Sequence, residues 1–222
     1  MKVSDDDDVS GHSRDFASSP CMMHEFDEPA ADSVTGNDVA SWRRSERKRQ
    51  LARRLAIDVD LRLSHSATIA DSLVKTIGDV TGLTISCYWP IRAEPDLRPF
   101  MDRVARSGGS CALAVVTERG RPLAFRSWEH GAPLERGFWN IPVPTRGCDV
   151  VPDIVIAPVV AFDRACFRLG YGGGYFDRTL AKMPENRRVF GVGYSIAEVA
   201  TIFPQPHDVP MDAIVTESGV QQ

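Results

Sequence analysis

The run Arg168-Leu-Gly-Tyr-Gly-Gly-Gly-Tyr-Phe-Asp177 gathers the residues best suited to chemistry in this chain of 222. Glycines stand at 170, 172, 173 and 174, with Tyr171 and Tyr175 around them. Glycine adopts positive φ without strain and lets a ligand come close to the backbone. Successive N–H groups can then face one concavity, with a helix start behind them, and such a nest holds phosphate. The other reading is a plain tight turn. Neither standard phosphate loop fits. No Gly-Lys-Ser/Thr follows the glycines, and a dinucleotide fingerprint begun at Gly170 would need glycine where Tyr175 stands. Asp177 closes the run. Beside phosphate it is a natural Mg²⁺ ligand, because Mg²⁺ bridges one or two carboxylates to phosphate oxygens. It also suits the first turn of a helix, where the helix dipole favours an acid.

Two other stretches carry candidate groups. Trp89-Pro-Ile-Arg-Ala-Glu94-Pro-Asp96 follows a β-rich run. Asp96 is placed to cap the next helix, which leaves Glu94 to meet a ligand. Pro206-His207-Asp208 precedes the last strand, and Asp208 is a second candidate metal carboxylate or part of an ordinary turn. Cys21 and His24 have a ligand-like separation but no second pair near them. No Ser-His-Asp order and no close Cys-His motif points to a covalent nucleophile.

The elements that must position these groups follow from periodicity. A helix is expected from Ser41, with Leu51, Leu55 and Ala52 as a narrow apolar stripe among seven cations. A second helix is expected over 64–80, where Ile69, Leu73 and Ile77 recur every four residues. Strands are expected at 83–89, 111–117, 123–128, 153–162, 189–194 and 213–216, with helices over 96–107 and 175–183. Residues 129–152, rich in Gly and Pro, read as a long functional loop. Helices alternating with apolar strands give an α/β class, a three-layer α/β/α Rossmann-like domain with a mostly parallel sheet. Ligands in such folds sit at the carboxyl ends of the strands.

Charge divides the chain. Residues 1–40 hold ten acidic and two basic side chains, net −8; the remainder holds 20 acidic and 24 basic, net +4. The first part reads as a disordered acidic tail and 41–218 as one domain. The mildly basic body suits an anionic small molecule and is too weak an argument for nucleic acid. No apolar run approaches the roughly 20 residues that span a bilayer, and the acidic start is no secretory signal. Five cysteines without a CxxC pair suggest reduced thiols and a cytoplasmic protein. Cys87 and Cys111 sit in apolar runs and read as core.

The run Phe162-Asp-Arg-Ala-Cys-Phe-Arg-Leu-Gly-Tyr-Gly-Gly-Gly-Tyr-Phe-Asp-Arg-Thr-Leu180 resembles the signature of 5-formyltetrahydrofolate cyclo-ligases. Tyr88-Trp-Pro-Ile-Arg-Ala-Glu-Pro-Asp96, Phe138-Trp-Asn-Ile-Pro-Val-Pro144 and Pro206-His-Asp-Val-Pro-Met-Asp212 stand in the order and spacing of that family, so the likeness covers about residues 42–217. It implies ATP-dependent closure of 5-formyltetrahydrofolate to 5,10-methenyltetrahydrofolate with release of ADP and phosphate. In the family the formyl oxygen is phosphorylated, N10 closes the ring and phosphate leaves. The resemblance assigns ATP to Arg168, Leu169, Gly170, Tyr171, Gly172, Gly173, Gly174, Tyr175 and Phe176, with Arg168 and Tyr175 as catalytic residues. Tyr171 to Tyr175 would also border the folate, with Trp89 as an apolar wall and Glu94 on the pterin or the formyl-bearing ring. Asp177 and Asp208 would hold Mg²⁺. The family's N-terminal helix lends ATP a Lys and an Arg four residues apart, matched here to Arg44 and Lys48. Many relatives carry Lys where Gly173 stands, and often Tyr where Phe176 stands.

The expected partners are therefore reduced folate and ATP, with Mg²⁺, on a monomer without membrane or nucleic-acid contacts. Two other readings stay open: a nucleotide-binding α/β enzyme acting on another substrate, and a non-catalytic module using the basic helix for RNA or an acidic partner. On the sequence alone, Asp177→Ala should abolish turnover with little loss of stability.

Overall fold

Side chains alternate between two apolar clusters along the central strands: Ile154 and Ile156 join one, Val155 and Ala157 the other. Such alternation of two buried faces is the mark of a sheet covered on both sides. The computed structural model describes residues 34–184 and 186–222. It opens with helices α1 (Val34–Leu55) and α2 (Val59–Ile77), strand β1 (Thr84–Cys87) and helix α3 (Arg98–Arg106). Strands β2 (Ser110–Val115), β3 (Ala124–Ser127), β4 (Leu134–Arg136), β5 (Pro142–Pro144) and β6 (Ile154–Pro158) follow. Then come β7 (Ala161–Phe162), β8 (Arg168–Leu169), α4 (Tyr175–Leu180), β9 (Arg188–Val192), β10 (Ala213–Thr216) and β11 (Gly219–Gln221).

Among the described residues seven strands form one sheet, in the order β11-β10-β9-β6-β1-β2-β3. The five inner strands are mutually parallel, and β3 and β11 are antiparallel edges. The chain moves from β1 to β2 in one direction and from β6 through β9 to β10 in the other. The order therefore reverses between β1 and β6, and the crevice at their carboxyl ends is the switch point where such sheets take ligands. Glu94 follows β1, and the glycine loop follows β6 through the β7–β8 pair.

One face is covered by α2, through Ile69, Leu73 and Ile77, and by α3, through Phe100, Met101 and Val104. The other is covered by a thinner layer that includes Leu180 of α4, Phe162, Ala197 and Met211. The expected α/β architecture with a mostly parallel sheet is present. Cys87 and Cys111 are in the core.

The boundaries differ from the sequence reading in several places: the strand expected at 153–162 is two, β6 and β7, in different sheets, and the helix expected over 175–183 ends at Leu180. α2 starts at Val59 rather than 64, because the Asp58 side chain accepts from Asp60 N–H at 2.8 Å and caps it. α1 begins at Val34, inside the stretch read as tail; the acidic run, Cys21 and His24 lie outside the described residues. Residues 129–152 are not one open loop. They contain the antiparallel β4–β5 pair and a tight turn whose Trp139 and Asn140 have φ of 53° and 58°. Among the described residues no helix is long and apolar enough to cross a membrane.

Candidate functional site

α1 meets the body with a polar face. Arg43, Glu46, Gln50 and Arg54 are buried, whereas Leu55 is 56% exposed. Ala52 is exposed and Leu51 half-buried. The expected apolar stripe is thus not the docking face. Positions 43, 47, 50 and 54 recur every three or four residues and share one side of a helix turning 100° per residue. That side lies over the crevice, where its donors find backbone carbonyls and carboxylates. Arg43 forks onto Asp208, Nη1 to Oδ2 at 2.8 Å and Nη2 to Oδ1 at 2.9 Å. Arg47 Nε donates to the Gly170 carbonyl at 2.9 Å. Arg54 donates from Nε to the Arg92 carbonyl at 3.0 Å and from Nη2 to the Tyr171 hydroxyl at 2.5 Å. Trp42 meets Phe203 edge-on at 4.8 Å, fastening α1 to the segment that carries Asp208. Arg44 and Lys48 are exposed. On this side of α1 Arg47 meets the glycine loop and Arg43 meets Asp208, each one residue before its counterpart matched from sequence. The three- and four-residue recurrence of long polar side chains was the signal that could have shown it.

The glycine loop is ringed by guanidiniums. A Cβ at Gly170 would lie 2.7 Å from Arg168 Nη1, and one at Gly174 2.9 Å from Arg178 Nη1. Arginine therefore fills the space that a side chain would need. Gly172, with φ of +103°, faces Arg47, whose Cζ stands 3.5 Å from the place of a Cβ. Arg168 is buried, donates to Asp177 Oδ1 at 3.1 Å and lies 5.1 Å from the Phe176 ring centre. Arg178 donates to the Gly173 carbonyl at 2.5 Å and stacks on Tyr175 at 5.1 Å. Gly120 N–H donates to the Tyr175 hydroxyl at 3.2 Å, and Trp139 meets the same ring edge-on at 5.5 Å. Leu169 is fully buried in a small core, so it offers a ligand only its backbone.

The Nε atoms of Arg43, Arg168 and Arg178 are buried without a hydrogen-bond partner among the described residues. Unpaired buried donors carry a free-energy cost, and an anion at the loop would relieve it. Burial pushes the Arg168 guanidinium below its ordinary value, while the charges of Asp177 and Asp208 act to keep it protonated.

Asp208 also titrates unusually. Burial alone would raise it, but the Arg43 fork and the Gln205 N–H hold it below the ordinary carboxylate range. A depressed folded-state value means that the pair stabilises fully above the unfolded carboxyl's range and loses its effect as pH falls through the lowered value. Acidification should therefore loosen the attachment of α1 to the 203–208 segment. Amide exchange of 41–54 followed from neutral pH downward should show earlier loss of protection in wild type than in Asp208→Asn compared with its own neutral value.

Glu94 is the second centre. It is 6% exposed, on a turn where Arg92 and Ala93 take φ of 46° and 60°. Its Oε2 accepts from Ile91 N–H at 2.9 Å, and its Oε1 accepts from the Tyr171 hydroxyl at 2.7 Å. Burial pushes its carboxyl up, against the pull of Arg54, Tyr171, the Ile91 N–H and Arg92. Tyr171 of the glycine loop thus touches Glu94 directly, so the loop and the buried carboxylate adjoin. Trp89, five residues before Glu94, is half-buried, with Arg98 5.5 Å from its ring centre and Trp128 edge-on at 5.9 Å. Asp96 spends itself on Arg98, accepting its backbone N–H at 3.0 Å and pairing with its guanidinium.

The donors suit a nucleotide's phosphates. For a divalent cation they offer Asp177 and Asp208 alone, and among the described residues there is no group of three or more His, Cys, Asp or Glu to cage a metal. That fits Mg²⁺, which takes one or two carboxylates and leaves the rest to phosphate oxygens and water. Asp177 is the readier of the two. Both oxygens of Asp208 are taken by Arg43, so a cation there must displace a guanidinium.

The model of the 5-formyltetrahydrofolate cyclo-ligase family matches residues 39–217. A 5-formyltetrahydrofolate cyclo-ligase of Mycolicibacterium smegmatis is 28% identical over 145 residues, 62% of this chain and 75% of that protein. One of Escherichia coli is 29% identical over 144 residues, 62% of this chain and 79% of that protein. Among solved structures, a 5,10-methenyltetrahydrofolate synthetase of Aquifex aeolicus superposes with a TM-score of 0.69 at 27% identity, covering 81% of this chain and 92% of the other. One of Mycoplasma pneumoniae superposes at 0.65 and 22% identity, covering 79% and 98%, and at that identity shows the fold. With the glycine loop, its arginines and Glu94 all inside the matched span, the chain belongs to the 5-formyltetrahydrofolate cyclo-ligase family.

Proposed function

We propose that this chain catalyses the ATP- and Mg²⁺-dependent cyclisation of 5-formyltetrahydrofolate to 5,10-methenyltetrahydrofolate, releasing ADP and phosphate. The observation that carries the reading is the Tyr171–Glu94 contact at 2.7 Å. It joins an anion nest to a buried carboxylate of the kind that takes the N–H edge of a heterocycle. A reaction that transfers phosphoryl onto a bound folate needs these two sites side by side.

The chemistry asks the protein for positioning and charge neutralisation rather than a nucleophile. The N–H groups of 170–174, with the unpaired Nε atoms of Arg43, Arg168 and Arg178, hold the phosphates. Glu94 holds the folate ring, with Trp89 as its apolar wall. The formyl oxygen then displaces ADP at the terminal phosphorus, N10 attacks the activated carbon, and the phosphate leaves with the N10 proton as the ring closes. Asp177 and Asp208 would hold Mg²⁺, which when bound neutralises charge on the transferred group. Arg168 supplies a fixed cation at the same place, and Tyr175, clasped by Trp139 and Arg178, walls the junction.

The direct test is spectrophotometric: purified protein with 5-formyltetrahydrofolate, ATP and Mg²⁺ should develop methenyl absorbance. Folded protein that produces none excludes the reading. ATP binding without binding of any reduced folate would favour a nucleotide enzyme with another substrate.

The helix register gives a sharper expectation. Arg43→Ala and Arg47→Ala should each raise the KM for ATP about 10- to 100-fold, the range for losing a charge-assisted hydrogen bond. Arg44→Ala and Lys48→Ala should stay within about twofold, as exposed charges do. Steady-state kinetics on the four variants reads the difference directly; an equal effect at 44 and 48 would return the register to the sequence match.

A further inference from the structure

Arg54 reaches neither the glycine-loop backbone nor the carboxylates beside it, yet it is only 5% exposed and is committed on three sides. Its Nε holds the Arg92 carbonyl at 3.0 Å, its Nη2 the Tyr171 hydroxyl at 2.5 Å, and its Nη1 approaches the Val159 carbonyl at 3.4 Å. Those three acceptors belong to the turn after β1, the glycine loop and the end of β6, the segments that meet at the sheet's switch point. The Tyr171 hydroxyl then passes its own hydrogen to Glu94 Oε1 at 2.7 Å. A chain of guanidinium, phenol and carboxylate therefore runs from α1 to Glu94. The Tyr171 ring is also flanked by cations, with Arg54 5.7 Å and Arg92 5.6 Å from its centre.

We propose that Arg54 is a positioning residue for the folate half of the site, holding the Glu94 carboxylate in place and in charge balance through the Tyr171 hydroxyl and the Arg92 carbonyl. The inference rests on the function proposed above. Its physical basis is the burial of Glu94. A carboxylate at that depth is costly without a nearby cation. The charged and titratable groups facing Glu94 are Arg54 from α1, Arg92 from its own turn, Tyr171 from the glycine loop and Tyr88 from the end of β1. Of the two cations, Arg92 is exposed on the turn itself, and Arg54 is buried and anchored in a helix. The Tyr171 phenol is itself pushed up by burial and by the Glu94 charge, so it stays protonated and can only donate to Glu94.

The test separates charge from mere structure. In Arg54→Gln the KM for 5-formyltetrahydrofolate should rise about 30-fold or more while the KM for ATP stays within about threefold. The acid limb of kcat/KM for folate should move up by about one pH unit or more, the effect of removing a nearby opposite charge. Arg54→Lys should restore most of that limb. Tyr171→Phe, which deletes one oxygen and should fold, should move the limb the same way by less. A limb that stays put in both Arg54→Gln and Tyr171→Phe, or folate and ATP KM values that rise together, would overturn the proposal. Carbon-13 NMR titration of Glu94 in the ligand-free protein provides the independent arm. An upward shift of its titration in Arg54→Gln supports the role of Arg54 even in a protein that turns over no folate, and an unshifted titration refutes it whatever the enzyme does.

Discussion

Asp177→Ala should lower kcat by about a thousandfold or more, the scale for losing one preorganised charge at a reacting centre. It should also destabilise the protein. Asp177 is the hydrogen-bonded partner of Arg168, whose side chain is 3% exposed. Removing one member of a buried pair strands the other charge, at a cost on the order of 3 kcal/mol. The expectation of little stability loss is thereby revised: the carboxylate that would meet Mg²⁺ already holds a guanidinium through Oδ1. Asp177→Asn separates the two roles, since an amide still accepts from Arg168 but ligates Mg²⁺ weakly. Turnover and urea midpoint should both fall in the Ala variant, and turnover more than midpoint in the Asn variant. Near-normal kcat in either variant would remove Asp177 from the metal site. An unchanged midpoint in the Ala variant would show that Arg168 needs no partner.

Glu94→Gln should raise the KM for 5-formyltetrahydrofolate about 100-fold and leave the KM for ATP nearly unchanged. A hydrogen bond to a charged group contributes about 1.5–3 kcal/mol, and Gln keeps one acceptor oxygen, enough for the Ile91 N–H. Stability should move the other way. The folded-state value of Glu94 is raised, so its protonated form is the one that folding favours. That contribution is present below the unfolded carboxyl's range and is lost as pH rises through the folded value. At neutral pH the wild type carries the cost of a buried anion that the amide lacks. The Gln variant should therefore melt no earlier than wild type at pH 7, and relatively earlier as pH is lowered. Thermal melts across pH with paired kinetics check both halves. A folate KM that holds steady would take Glu94 out of the substrate site.

Much of the architecture was legible in the residues. The apolar runs specified the inner strands, and the recurrence of Ile69, Leu73 and Ile77 specified a helix with one buried face. The glycine loop and Glu94 were found because their chemistry is local. Glycine clusters, a carboxylate between prolines and an acid at a helix start are written within a few neighbouring positions.

The polar contacts of the site were not legible, and α1 shows why. Periodicity arguments assume that the docked face is apolar, so Leu51 and Leu55 were read as the stripe. The face that docks is Arg43, Glu46, Gln50 and Arg54, because the surface beneath it is made of carbonyls and carboxylates. That surface exists only after the sheet has formed. Arg43 meets Asp208 across 165 positions and Tyr171 meets Glu94 across 77. Sequence by itself determined the α/β class and marked the glycine loop and its neighbouring acids as candidates. The tertiary structure alone decided which arginines meet that loop and which acid each one holds. Those pairings depend on where the strand order reverses, and no local periodicity records that.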